Sequence, residues 1–144
     1  MTPEDAGWRY LAFDTVALAA GEHHSGCAQG RETAITVLAG SGTVTAGDLE
    51  AEVTRDSVFT ELGRVVYVAP GEEYTVVAGA AGVEFAVGSA PAEGRYPTRV
   101  IEPSEMRSEI RGGGQAHRQV IHTVAPPIDA ERLILYQVYV PRGT

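Results

Sequence analysis

The sequence has one cysteine, Cys27, no long apolar run, and almost no helical periodicity. Each absence excludes something. A lone cysteine rules out an intrachain disulfide framework and suits a reducing compartment, with Cys27 read as a small strand or loop residue rather than a nucleophile. A bilayer-spanning helix needs about 20 consecutive apolar residues, and nothing here approaches that. The first residues, "MTPEDAGWRY", have neither a basic segment nor a long apolar one, so no secretory signal is expected and the cytoplasm is the simplest location. Positive charge is also scarce: 11 Lys plus Arg against 19 Asp plus Glu give a formal charge of -8. That argues against nucleic acid as a partner, because a phosphate backbone calls for a basic face. An anionic small molecule stays compatible, since a few arginines suffice for a local positive pocket.

What is present is glycine, proline and short β-like runs. At 144 residues the chain fits one domain with a single substantial core, and 44% hydrophobic against 21% charged residues is an ordinary globular balance. Turn signals such as "AAGE", "AGSG", "APGEE" and "AGAAG" separate runs such as "TAITVLAG", "LEAEVT", "VVYVAP" and "VEFAVG". Short alternating strands at this spacing predict an all-β antiparallel sandwich or barrel, with its strands between about Ala34 and Val87. The best helical candidate is a single turn in "PPIDAERL". The polar stretch "APAEGRYPTRVIEPSEMRSEIRGGGQAH" reads as a long connection, with extended pieces near Arg99–Ile101 and Glu105–Ile110. Residues 1–110 are thus expected to form the barrel, and 111–144 to contribute bridging strands.

The stretch "GEHHSGCAQGRETAITVLAGSG" is the first place to look for chemistry. Histidines followed by a glutamate and a glycine turn resemble the first motif of cupin barrels, which fixes the fold expectation as a cupin-type antiparallel β-barrel. That motif separates its histidines by one residue so that both ligate one metal. His23 and His24 are adjacent, and neighbours on a strand face opposite ways, so at most one points inward. The second cupin motif sets a histidine after a Pro-Gly turn; here Pro70-Gly71 is followed by Tyr74. His24 with Glu32 falls short of the three protein ligands of a catalytic metal site, so no metal is expected in this barrel.

On "HRQVIHTV", Arg118, Val120, His122 and Val124 share one face, while His117, Gln119, Ile121 and Thr123 share the other. Arg118 to His122 is about 13 Å, too far to bind one metal together. Arg118 and Gln119 carry planar donors suited to a carboxylate or hydroxyl; the plainer reading makes Arg118 a structural ion-pair residue. "GSGTVTAG" lacks the helix and Lys-Ser/Thr of a phosphate loop and is a turn. Trp8 and Tyr10 are expected to close a barrel end. In "LILYQVYV", Ile134, Tyr136, Val138 and Val140 point one way and Leu133, Leu135, Gln137 and Tyr139 the other. Both faces are largely apolar, as for a strand buried on two sides.

Several stretches together resemble a more specific family: "AGWRYLAFDTVALAAGE", "LAGSGTVTAGD", "RDSVFTELGRVVYVAPGEEYTV", "RGGGQAHRQV" and "ERLILYQVYVPRGT". The most telling are "AGW", "DSVF", and the pattern at Arg111, Gly112, Gly114, Arg118, Gln119 and Val120. They are similar to the amino-terminal half of the 5-deoxy-glucuronate isomerases of inositol catabolism and, more distantly, to the deoxy-ketouronate isomerases of pectin breakdown. The resemblance implies a bicupin whose first barrel lacks metal ligands and whose second binds a divalent metal, zinc or manganese. It implies an aldose–ketose isomerisation in which the metal polarises the substrate oxygens while a base moves a proton.

The "PRGT" end then looks like the approach to the second barrel's metal motif. This chain alone is expected to hold no catalytic residue and no cofactor and to be inactive, with Arg118 and Gln119 serving substrate binding in the complete enzyme. A homodimer through the carboxy-terminal strand is expected to cover that strand's apolar surface. Two other readings stay open: a non-catalytic cupin for assembly or sugar sensing, and a small metal-dependent cupin enzyme recruiting His24, Glu32 and a late-strand histidine such as His122.

Overall fold

The computed structural model describes residues 3–142. Its strands in chain order are β1 (Ala12–Leu18), β2 (His23–Cys27), β3 (Arg31–Ala46), β4 (Leu49–Arg55), β5 (Val65–Val68), β6 (Glu73–Pro91), β7 (Arg99–Ile101), β8 (Arg107–Arg111), β9 (Arg118–Val124) and β10 (Leu135–Tyr139). Two long strands form the spine: β3 and β6 pair antiparallel over most of their length. Strands of 16 and 19 residues do not stay straight, and register shifts between Val37 and Ala39 and between Gly40 and Gly42 bend the pair. Gly40 and Gly82 meet at this bend with φ of +89° and +76°, and a Cβ on Gly40 would stand 2.2 Å from the Gly82 carbonyl oxygen. Only glycine permits both that approach and that backbone conformation.

β1 and β2 pair with β6, β4 and β5 with β3, and β7 with β5, making one seven-stranded antiparallel sheet. The second sheet has three strands in the order β10-β9-β8. Alternation on the strands creates two cores. One contains Ile35, Val37, Val53, Val66, Val76 and Phe85. The other lies between the two sheets and contains Ala34, Val65, Tyr67, Ile101, Ile121 and Leu133. β5, with the sequence Val-Val-Tyr-Val, is buried at every position and feeds both: Val66 and Val68 enter the first core, Val65 and Tyr67 the second. Each such side chain contributes about 1.5–3 kcal/mol by leaving water, so β5 is the strand that needs no polar face.

The antiparallel strands expected between Ala34 and Val87 are present, and the extended pieces expected near 99–101 and 105–110 are β7 and β8. The expected division after residue 110 falls within β8, which pairs with β9. Two expectations are corrected. "PPIDAERL" is not helical: a cis Pro126–Pro127 bond lies in a turn closed by Ile128 N–H to the Ala125 carbonyl at 2.9 Å, and the N–H groups of residues 131–133 go to Glu32 instead of a helical ladder. Trp8 and Tyr10 are 44% and 56% exposed and close no barrel end. The carboxy-terminal strand folds back on its own domain: Leu133 is buried, Leu135 and Tyr139 pack on the second core, and only the stripe Ile134, Tyr136, Val138 and Val140 stays exposed. The Gly143-Thr144 end lies outside the described residues. Among the described residues no helix is long and apolar enough to cross a membrane.

Candidate functional site

Glu32, at the second position of β3, is fully buried. Its carboxylate accepts the Tyr67 hydroxyl at 2.7 Å and the backbone N–H groups of Glu131, Arg132 and Leu133 at 2.9, 2.6 and 2.5 Å. Four donors saturate it. Burial, and then the Glu32 carboxylate itself, hold the Tyr67 phenol well above its ordinary range. Glu32 therefore fastens the turn before β10 to the barrel.

His24 lies elsewhere. Its ring is 6.2 Å from that of Tyr74 and 5.9 Å from that of Phe85, both members of the first core, while Glu32 bonds Tyr67 and Leu133 of the second. His23 faces solvent, as the alternation requires. Tyr74 occupies the position after the Pro70-Gly71 turn, and burial, then Asp14, raise its phenol pKa. Among the described residues no three His, Cys, Asp or Glu side chains are grouped to hold a metal ion. Glu32 and His24, the two candidate ligands, are not placed to share a metal ion.

Arg118 and Gln119 point to opposite faces of β9. Arg118 stands directly opposite Arg111 on β8 and donates to the Ala116 carbonyl at 3.1 Å. Gln119 donates from Nε2 to Ser108 Oγ at 2.9 Å. The two do not converge on one ligand. On the Arg118 face, buried His122 sits 2.7 Å from Glu109 Oε1 and 3.0 Å from Arg107 Nη2, with Tyr136 edge-on at 4.9 Å. Glu109 also accepts Arg111 Nε at 2.6 Å; His122 first, and then Arg111, hold its carboxyl below the ordinary range.

The Gln119 face opens onto a cavity of about 560 Å³. Leu38, Val58, Phe59 and Ile110 supply apolar wall, Gln119, Gln137, His117 and Tyr139 the polar groups, and Val138, Val140 and Pro141 complete the lining along β10 and its end. Gln137 Nε2 donates to Thr123 Oγ1 at 3.1 Å. The Tyr139 oxygen accepts from Arg55 Nη2 at 2.9 Å. Arg55, fully buried at the end of β4, also donates to the carbonyls of Glu61 at 2.9 Å, Val37 at 3.0 Å and Val58 at 3.4 Å. Sequence reasoning passed over Arg55 and Tyr139. The signal for Arg55 is parity: in "LEAEVTR" the buried positions are Ala51, Val53 and then Arg55, so the arginine follows two core residues inward.

Comparison with known proteins gives this arrangement its context. Residues 1–144 match the KduI/IolB family. A 5-deoxy-glucuronate isomerase from Geobacillus kaustophilus is 31% identical over 145 residues, covering 99% of this chain and 52% of that protein. One from Geobacillus thermodenitrificans is 30% identical over 145 residues, covering 99% and 53%. The crystal structure of an IolB-like protein from Salmonella typhimurium superposes with a TM-score of 0.90 at 34% identity, over 97% of this chain and 54% of that one. The chain thus spans about half the length of the relatives it matches. Matched from end to end and sharing the cupin-type β fold of its solved relative, the chain belongs to the KduI/IolB family.

Proposed function

We propose that this chain is the metal-free, amino-terminal half of a bicupin isomerase acting on a deoxy-uronic acid, with a structural and assembly role and no turnover of its own. Coverage carries the reading: nearly the whole chain aligns with about half of each relative named 5-deoxy-glucuronate isomerase. The barrel supports it, because the carboxylate of Glu32 is saturated by structural donors and His24 belongs to the other core. In this reading the divalent metal, zinc or manganese, belongs to the other half. Arg118 and Gln119 serve different surfaces: Arg118 the outer face of β9, Gln119 the cavity under β10. Two copies associate through the exposed stripe of β10, in a reducing, cytoplasmic compartment.

The test is an isomerase assay of the purified chain on 5-deoxy-glucuronate with added manganese or zinc. Turnover no faster than buffer plus metal is expected. Turnover well above that control, abolished in a His24→Ala variant, would overturn the proposal in favour of a small metal-dependent enzyme.

A further inference from the structure

We infer that the cavity under β10 binds a small carboxylate with an apolar body, recognised by the Tyr139 hydroxyl, with Arg55 as the residue that positions and polarises that hydroxyl. The inference does not depend on the half-enzyme reading. It starts from an anomaly of charge. The Arg55 guanidinium is fully buried, and among the described residues its hydrogen bonds go to three backbone carbonyls and one phenol, none to a carboxylate. A buried cation without an ion-pair partner keeps a field that solvent screens poorly.

The bond to Tyr139 has a direction. A guanidinium only donates, so the phenol oxygen accepts, and the phenol hydrogen remains to donate to something else. Tyr139 lines the cavity, so a ligand there meets an O–H polarised by the cation behind it. Gln119 and Gln137 add carboxamide N–H groups, each NH2 having a second hydrogen beyond the one given to Ser108 or Thr123.

Among the described residues no Asp or Glu lines this cavity, although the chain has 19 of them. Glu61 borders an adjoining cleft that shares Phe59, Gln119 and Tyr139 with this cavity, and its carboxylate is held there by the Asp56 N–H at 2.5 Å. The surroundings therefore favour an acceptor that carries negative charge. The rest of the wall favours an apolar body: Phe59 is 87% and Ile110 60% exposed, and both lose water contact when one is seated there. A volume of about 560 Å³ falls within the roughly 300–1,000 Å³ of small-molecule sites.

Benzoate is the probe, benzyl alcohol its neutral counterpart, and sodium chloride the salt control, each titrated into the intact chain with the side-chain amides of Gln119 and Gln137 followed by NMR. Benzoate is expected to give saturable shifts with a Kd on the order of millimolar and to bind about tenfold tighter than benzyl alcohol, the gain of one charge-assisted hydrogen bond. Tyr139→Phe should remove that preference while keeping benzyl alcohol binding. Arg55→Lys should reduce the benzoate-to-benzyl-alcohol ratio, which mere loosening of the wall would leave unchanged; if that variant does not fold, Tyr139→Phe decides alone. Equal binding of the two probes, an unaltered ratio in Tyr139→Phe, or no shift except one that grows with protein concentration would each overturn the inference. The last outcome would mean that a second copy fills the cavity.

Discussion

The backbone N–H of Leu133 donates to the buried carboxylate of Glu32 at 2.5 Å, across 101 residues of sequence. With the N–H groups of Glu131 and Arg132 on the same carboxylate, this fixes where the chain enters β10. Glu32→Gln retains the shape but loses the charge and turns an NH2 toward donors. It should cost about 3 kcal/mol, as expected when buried donors lose a charged acceptor, by urea unfolding. Amides 131–133 should exchange with solvent faster than in the unsubstituted chain, with less change along β3 and β6. Unchanged exchange at 131–133 would show that other contacts hold this turn.

Arg55 makes the second fastening, from β4 to Tyr139 on β10. Arg55→Leu leaves the carbonyls of Val37, Val58 and Glu61 without this donor, so a loss of about 3 kcal/mol is expected, and Tyr139→Phe should cost about 1 kcal/mol. Because the two side chains touch, the double variant should lose less than the sum by about 1 kcal/mol. Strict additivity would mean that the Arg55–Tyr139 bond adds nothing to stability.

These two residues mark the limit of what the sequence disclosed. Local alternation and glycine turns suffice for the antiparallel strands, because the period of two and the need for positive φ are written in consecutive residues. Burial on both faces is harder to place: within this chain it belongs to "VVYV", while "LILYQVYV" buries one face, since only the packing of a second sheet decides which strand lies between two cores. Glu32 after a pair of histidines looks like a metal ligand, yet its donors are Tyr67 and three backbone N–H groups 99 to 101 residues away, beyond any local pattern. The same distant carboxylate overrides the helical character of "PPIDAERL" by taking its N–H groups. Arg118 and Gln119 were placed correctly on opposite faces, yet what each face meets depends on tertiary structure.

Glu131 gives a pH dependence with a definite sign. Its carboxylate accepts the N–H groups of Glu93, Gly94 and Arg95 at 2.8, 2.6 and 2.7 Å, and the Arg95 N–H first, then that of Glu93, hold it below its ordinary 4.5. A carboxyl lowered by folding stabilises the fold fully above its ordinary value, and that contribution disappears as pH falls through the lowered one. Glu131→Gln should therefore lower the thermal midpoint at pH 6, with the gap to the unsubstituted chain closing toward pH 3. A gap that widens in acid would reverse the sign and refute this role of the Glu131 carboxylate. Glu109, lowered chiefly by His122, and Glu105, lowered chiefly by the Glu102 N–H, remain in both chains and steepen the acid limb equally.

β10 is an edge strand whose outward stripe is apolar: Ile134 is 57% exposed, Tyr136 42%, Val138 51% and Val140 63%. Among the described residues it pairs only with β9, so its other edge offers unpaired N–H and C=O groups. Such edges recruit other strands, and contiguous apolar surface favours association. A twofold arrangement lets one stripe cover the same stripe of a second copy. Four side chains fall well short of the roughly 800 Å² per partner of a standard stable interface. The dimer should therefore draw in the neighbouring Arg107, Glu109 and Arg111 face and dissociate in the micromolar range. Light scattering across that range is expected to show a mass rising from one copy to two. Val138→Glu should hold the chain at one copy by burying a charge at the centre of the contact, whereas Val77→Glu, at an exposed position on β6, should leave the rise intact. A single copy at every concentration would defeat the dimer, and equal loss in both variants would move the contact away from β10.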